Sequence, residues 1–249
     1  MDLPITEQPF SASKPIDELK VEEALDLMLK EQKGAADAVI EIMLTIKDTI
    51  TKLTSHLKLS DVSRLIYVGA GTSGRIGIQD GVELYPTFGW PLERLDFIIA
   101  GGYQALFKPI ENAEDDITEA KKIFEEKNIN KFDVVFGIAA SGNTPFTCKF
   151  LELSNKVNAM TIAISNNPTG RLLGYGDIKL ILNTKQEILA GSTRLKAGTA
   201  QKICLNIIST MVMTNLGFVK KGKMSNLIAT NDKLKNRKKL IQNELKKIK

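Results

Sequence analysis

The sequence predicts an α/β protein, doubly wound around a mainly five-stranded parallel sheet flanked by helices, with helical additions at the N- and C-terminal ends. Two observations carry this expectation. Five short runs occur in series, Arg64–Val68, Phe97–Ala100, Val134–Ile138, Met160–Ile164 and Ile178–Leu182, and they are apolar almost without interruption. Strands of that kind are covered on both faces, as in parallel sheets, whereas a one-sided sheet alternates apolar with polar residues. Helix-like segments separate most of them: Ile76–Tyr85, Ala113–Glu126, Thr144–Lys156 and a short one around Arg171. Right-handed crossovers then bring the C-terminal ends of the strands to one edge, where doubly wound sheets bind ligands.

The flanks are helical. Residues 1–15 form a Pro- and Ser-containing arm without periodicity. From Ile16 to His56, apolar residues recur at three- and four-residue spacing (Leu25, Met28, Leu29; Val39, Ile40, Met43, Leu44), which predicts two helices or one broken near Gly34. A long helix over Thr193–Leu216 follows the fifth strand, and the remainder is helical and basic. The expected divisions are an arm with helices at 1–58, a ligand-binding α/β domain at 59–220 and a basic helical tail at 221–249.

Composition is that of an ordinary globular chain: 249 residues, 43% hydrophobic and 25% charged. A net charge of +5 suits an anionic ligand, but the excess gathers from Lys233 onward. Such a terminal run reads as a solvated helix face rather than a nucleic-acid surface. Cys148 and Cys204 lie in apolar helical stretches without metal-ligand spacing, which points to a reducing compartment. The first residues lack the charged and apolar regions of a signal peptide, and Ile203–Val219 is too short and too polar to span a membrane. The expectation is a cytoplasmic protein that engages neither membrane nor nucleic acid. The single histidine, His56, sits among Leu53, Leu57 and Leu59 on an amphipathic helix. Acid–base chemistry therefore falls to carboxylates, lysine or tyrosine.

Three strand ends share one chemistry. The first strand leads into Gly69-Ala-Gly-Thr-Ser-Gly-Arg75, the third into Ala139-Ala-Ser-Gly-Asn-Thr144, and the fifth, after a short loop, into Ala190-Gly-Ser-Thr-Arg194. Each places small residues and hydroxyls just before a helix, whose N-terminus offers unpaired amides and partial positive charge. One such loop is an ordinary helix cap. Three on one sheet edge predict an anionic small-molecule site suited to phosphate.

Gly69, Gly71 and Gly74 also fit G-x-G-x-x-G. A dinucleotide site needs an acid closing the second strand to hold the ribose. Phe97-Ile-Ile-Ala-Gly-Gly102 ends without one, and Glu93 precedes the strand. The lysine of a nucleotide P-loop is missing as well, since Arg75-Ile76 follows Gly74. The acids near the edge are Glu83, in Asp80-Gly-Val-Glu-Leu-Tyr-Pro86, and the group Glu111, Glu114, Asp115 and Asp116 after the second strand. Acids in a first helical turn also complement its dipole, so composition does not choose within that group.

Longer stretches occur in order: Thr6-Glu-Gln8, Ile66–Arg75, Pro86-Thr-Phe-Gly89, Ile99-Ala-Gly-Gly102, Ala113-Glu-Asp-Asp116, Gly137–Gly142, Gly191-Ser-Thr-Arg194, Lys196–Lys202 and Ala229-Thr-Asn231. Together they resemble the N-acetylmuramic acid 6-phosphate etherase family of the sugar-isomerase (SIS) superfamily, over nearly the whole chain. The glucokinase regulatory protein shares the domain but matches these blocks less closely. The resemblance implies a SIS-type fold at 59–220 and cleavage of the D-lactyl ether of N-acetylmuramic acid 6-phosphate to N-acetylglucosamine 6-phosphate and D-lactate. It implies no metal and no cofactor, a phosphorylated amino sugar as ligand, and homodimers with sites near the subunit interface. The family's acid falls on Glu83 and its base on Glu114, with Glu83 expected protonated in an apolar setting and Glu114 ionised. The phosphate and sugar contacts fall on Gly71, Thr72, Ser73, Ser141, Asn143 and Thr144, with Ser192 and Thr193 as further candidates. Lys196 is a candidate either for the sugar or for the surface. Two departures stand out: Asn143 occupies the place where the family usually has Arg, which removes a cation near the ligand, and typical members continue into a further C-terminal helical segment. Other functions open to the same fold are aldose–ketose isomerisation of a phosphosugar and phosphosugar sensing without catalysis.

Overall fold

The computed structural model describes residues 3–11, 14–229 and 232–247. Thr230 and Asn231, which close the last family-like stretch, and Lys249 lie outside the described residues.

The five apolar runs form the strands of one parallel sheet: β1 (Leu65–Gly69), β2 (Leu95–Ile99), β3 (Val134–Ala139), β4 (Met160–Ser165) and β5 (Ile178–Ile181), in the order β2-β1-β3-β4-β5. Register places Gly69 opposite both Ile99 and Ile138, so the ends of β1, β2 and β3 lie level at one edge. Side chains alternate between two covered faces. Leu65, Tyr67, Phe136 and Ile138 enter one core, and Ile66, Val68, Val135 and Ala139 the other. Burial of each large apolar side chain contributes about 1.5–3 kcal/mol, which explains why nearly every position of β1 and β3 is hydrophobic.

On the first face lie α1 (Val21–Glu41), α2 (Met43–Leu57), α3 (Gly71–Val82) and the short α4 (Leu84–Phe88). On the opposite face lie α5 (Ile117–Glu126) and α6 (Pro145–Lys156). The long α7 (Lys196–Asn215) returns to the first face and packs on α1, α2 and α3. An antiparallel pair, β6 (Val219–Lys220) and β7 (Lys223–Met224), leads to the basic α8 (Asp232–Lys247).

Two helix boundaries differ from the sequence expectation. The N-terminal helices part at Ile42 (φ −106°, ψ 19°) rather than near Gly34. Gly34 stays helical because α7 packs against it: a Cβ there would lie 3.5 Å from the Lys196 side chain. α3 begins at Gly71, five residues before the first apolar position Ile76. Its first turn carries no hydrophobic period, because two of its residues are glycines that bring helix and strand together. A Cβ on Gly74 would stand 3.0 Å from the carbonyl carbon of Gly69, and one on Gly69 would stand 2.8 Å from the Gly74 amide nitrogen. Only glycine at both positions permits so tight a strand-to-helix turn.

Candidate functional site

The tight turn sets the end of α3 directly over the sheet edge. Ala70 caps the helix without a side-chain hydrogen bond, and the Gly74 amide is the first to find a carbonyl, that of Ala70, at 3.1 Å. The amides of Gly71, Thr72 and Ser73 thus have no intrahelical acceptor, and they carry the positive end of the helix dipole. Arg75 is turned away: its guanidinium donates to the carbonyls of Ala105 at 2.7 and 3.0 Å and of Leu106 at 3.2 Å, pinning the turn that follows β2.

Beside this turn is a cavity of about 290 Å³ lined by Gly71, Thr72, Ser73, Ser141, Thr144, Gly191 and Thr193, with the carboxylates of Glu7 and Glu114. All three hydroxyl loops of the sequence therefore converge on one space. Among the described residues its wall holds no cation. What that wall offers is hydroxyls, amides and a helix end, the donor types found in helix-terminal phosphate sites.

The chain brings Glu114 to this place by folding back after β2. Gly101 (φ 82°) packs against Ile110 and Ala113, which seats the turn Ala113–Asp115 at the strand end. Within the acidic group the roles separate by geometry. Asp116 caps α5 by accepting from the Glu119 amide at 2.8 Å, whereas Glu114 reaches the cavity, its Oε1 3.3 Å from where a Cβ on Gly71 would stand.

The second loop is held by its neighbour across the sheet edge. Gly142 (φ 69°) abuts Gly170, where a Cβ on Gly142 would lie 2.6 Å from the Gly170 Cα. Asn167 Nδ2 donates to the Ser141 carbonyl at 3.1 Å, and the Leu172 amide to the Gly142 carbonyl at 2.8 Å. Asn143 points away from the cradle. It accepts from the Arg171 amide at 3.0 Å and lines an adjoining cavity rather than the one that holds Ser141 and Thr144.

The third loop differs from the simple helix-end picture. The α7 N-terminus is already occupied, since the buried carboxylate of Glu187 accepts from the amides of Lys196 at 3.1 Å and Ala197 at 2.7 Å. Gly191 and Thr193 still line the cavity, whereas Ser192 does not. Lys196 is not at the surface. It is 5% exposed and its Nζ is paired with Glu31 Oε2 at 2.5 Å, tying α7 to α1.

Glu83 lies elsewhere. It is exposed at the C-terminal end of α3 and lines a cavity of about 220 Å³ with Asp80, Lys202, Asn206 and Thr210. Twelve residues separate it from Gly71, so at 1.5 Å per residue the helix carries it roughly 18 Å from the cradle. Within one chain Leu84 and Phe88 share that wall with the polar groups. Asp80, by contrast, is buried; it accepts from Asn206 Nδ2 at 2.6 Å, Ser209 Oγ at 3.1 Å and Tyr67 Oη at 3.2 Å. Burial pushes its carboxyl above the ordinary range, and these donors oppose the shift.

Neither periodicity nor loop chemistry marks Glu7 as a lining residue. It arrives on the N-terminal arm, which is fastened by the buried Thr6, whose carbonyl accepts the Gly191 amide at 3.0 Å.

A five-stranded parallel sheet covered by helices on both faces, with small-residue, hydroxyl-bearing turns after β1 and β3, has the architecture of a SIS-type fold. Residues 45–155 match the family model described as the glucokinase regulatory protein N-terminal SIS domain. The C-terminal domain of glucosamine-fructose-6-phosphate aminotransferase from Francisella tularensis superposes with a TM-score of 0.57 at 20% identity, covering 94% of this chain and 58% of that one. Sequence relatives are more specific. The chain is 42% identical over 236 residues to the N-acetylmuramic acid 6-phosphate etherase of Geobacillus sp. (strain WCH70), covering 95% of this chain and 79% of the relative. It is 41% identical over 236 residues to the etherase of Francisella philomiragia subsp. philomiragia, covering 95% and 80%. The chain belongs to the N-acetylmuramic acid 6-phosphate etherase family.

Proposed function

We propose that the protein cleaves the D-lactyl ether of N-acetylmuramic acid 6-phosphate, releasing D-lactate and N-acetylglucosamine 6-phosphate. The observation that carries this reading is the carboxylate of Glu114 set against the same loop that offers the free amides of Gly71, Thr72 and Ser73. A sugar phosphate held by those amides and by the hydroxyls of Thr72, Ser73, Ser141, Thr144 and Thr193 presents its carbon chain to one fixed base.

In the open-chain sugar the C1 aldehyde acidifies the C2 proton. Glu114 takes that proton, the electron pair forms the C2–C3 double bond, and the C3–O bond breaks as lactate departs with a proton from a carboxylic acid. Water then adds at C3 of the unsaturated aldehyde: the ionised acid takes a proton from it, and Glu114 returns its own proton to C2, so both carboxyl groups recover their starting states. The acid is Glu83, and its protonation state must be opposite to that of Glu114. Both groups reach one sugar when Glu83 comes from a second copy of the chain, because in a single copy α3 holds them apart. A homodimer supplies that arrangement. Exposed Val82 beside Glu83, and exposed Ile207 and Met211 on α7, are the apolar surface such contact would cover and would give Glu83 its apolar setting. The buried, unpaired thiols of Cys148 and Cys204 suit the cytoplasm as the site of action.

Incubation with N-acetylmuramic acid 6-phosphate and assay of D-lactate tests the reading directly. Lactate release by the parent, lost in both Glu114→Gln and Glu83→Gln, is expected. Tight sugar-phosphate binding with no lactate would instead assign a sensor. Interconversion of aldose and ketose phosphates would assign an isomerase.

A further inference from the structure

Next to the phosphate cradle, on the other side of the 141–144 loop, is a larger cavity of about 800 Å³. Its walls are the N-terminal arm (Leu3, Pro4, Ile5, Gln8), Asn143 and the segment Asn167–Arg171. The two cavities share their boundary: Ser141 and Thr144 face the cradle while Asn143 between them faces the second space, and Glu7 and Gln8 divide in the same way on the arm. Asn143 is thus two residues from Ser141, so their Cα atoms stand within about 7 Å of each other.

The second cavity contains the cation that the cradle lacks. The guanidinium of Arg171 makes no hydrogen bond or ion pair among the described residues, and its side chain is exposed into the space. Its backbone is fixed nonetheless. The Arg171 amide is held by Asn143 Oδ1 at 3.0 Å, and the next amide, that of Leu172, by the Gly142 carbonyl at 2.8 Å. Asn167, rigid through its bond to Ser141 and its acceptance of Thr169 Oγ1 at 3.1 Å, completes the polar side of the wall. A free, planar, permanently charged fork in a partly apolar groove is suited to a carboxylate on a short carbon stem.

Resting on the etherase reading, we infer that Arg171 binds the carboxylate of the substrate's lactyl group, with Asn143 and Asn167 beside it, and so selects the lactyl ether over sugar phosphates that lack it. The substrate carries two anionic groups, a phosphate and a carboxylate, and the protein meets each with a different device. Neutral donors at a helix end take the phosphate. One guanidinium, fastened to the same loop, takes the carboxylate. Position 143 supplies no cation, and Arg171 provides one to that wall.

The test compares binding of N-acetylmuramic acid 6-phosphate with that of N-acetylglucosamine 6-phosphate, which has the phosphate but no carboxylate. Calorimetry in a Glu114→Gln background keeps turnover out of the measurement. Arg171→Gln should weaken binding of the lactyl sugar by about tenfold or more, the scale of a charge-assisted pair, and leave the other within twofold. Arg171→Lys, which keeps the charge but not the fork, should fall between. Equal weakening of both sugars would place Arg171 on the phosphate and overturn the proposal. So would an unchanged preference, or absence of binding by either sugar. Failure of the unmutated protein to release lactate would instead remove the etherase reading, and the two binding constants would still decide the role of Arg171.

Discussion

The carboxylate of Glu187 accepts the Ala197 amide at 2.7 Å, and with the adjacent bond from Lys196 it fills the N-terminus of α7. A buried acid ten residues upstream thus serves as the cap that Leu195 does not provide. Glu187 is 1% exposed, so loss of its acceptors strands two amides in the interior. Glu187→Ala should lower the free energy of unfolding by about 1–3 kcal/mol, and Glu187→Gln by less, since one amide oxygen still accepts. Denaturant titration of the three proteins checks this. Equal stability would show that the cap is dispensable.

Close contact between Gly69 and Gly74 carries a second expectation. A methyl group on Gly74 meets backbone 3.0 Å away and Ile99 Cγ1 at 2.9 Å, neither of which is a flexible side-chain end that can swing aside. Gly74→Ala should cost about 1–3 kcal/mol as overpacking does, and should also tilt the first turn of α3 away from the cavity. Loss of phosphosugar affinity in protein that remains folded, measured below its melting temperature, is the expected result. Unchanged affinity would mean that the cradle does not depend on the tight turn.

The strands were legible because their burial on both faces leaves an unbroken apolar record, and each lies within two residues of its expected bounds. The three hydroxyl loops were legible only together: each alone reads as an ordinary helix cap, but the parallel topology brings all three to one edge. The start of α3 was not, because Gly71 and Gly74 contribute no periodicity. Nor were pairings made by tertiary distance. Lys196 finds Glu31 across 165 residues, and Glu187 reaches the end of a helix that sequence spacing alone would leave open to a ligand. Glu7 enters the cavity on an arm with no regular pattern, so only the folded chain places it there.

Asp80 gives a pH dependence whose sign is fixed by burial. Its carboxyl is held above its ordinary value of 3.8, so the folded protein keeps that proton more tightly than the unfolded chain does. Ionised Asp80 therefore costs stability at neutral pH, and the cost disappears as the pH falls through the raised pKa toward the ordinary one. Asp80→Asn is close to isosteric, and its amide oxygen can still accept from Asn206 and Ser209. The melting temperature of the parent minus that of Asp80→Asn should become more positive as the pH is lowered from about 7 to about 4. A difference that is flat over this range would show that Asp80 titrates normally.

The placement of Glu83 and Glu114 in different cavities, at opposite ends of α3, yields the sharpest prediction about assembly. If one sugar is served by Glu114 of one copy and Glu83 of another, the two dead variants must complement each other. In a mixed dimer of Glu83→Gln with Glu114→Gln, one site joins the intact Glu114 of the first chain to the intact Glu83 of the second, while the other site has neither. Random assembly of a two-fold dimer makes half of the dimers mixed, so about a quarter of parental lactate release per chain should return on co-refolding equal amounts. If both glutamates act from the same chain, every site in the mixture lacks one of them and no activity returns. Each variant alone, refolded in the same way, must stay inactive. Size-exclusion chromatography with light scattering on the same samples shows whether dimers formed, so a silent mixture of intact dimers would exclude the shared site.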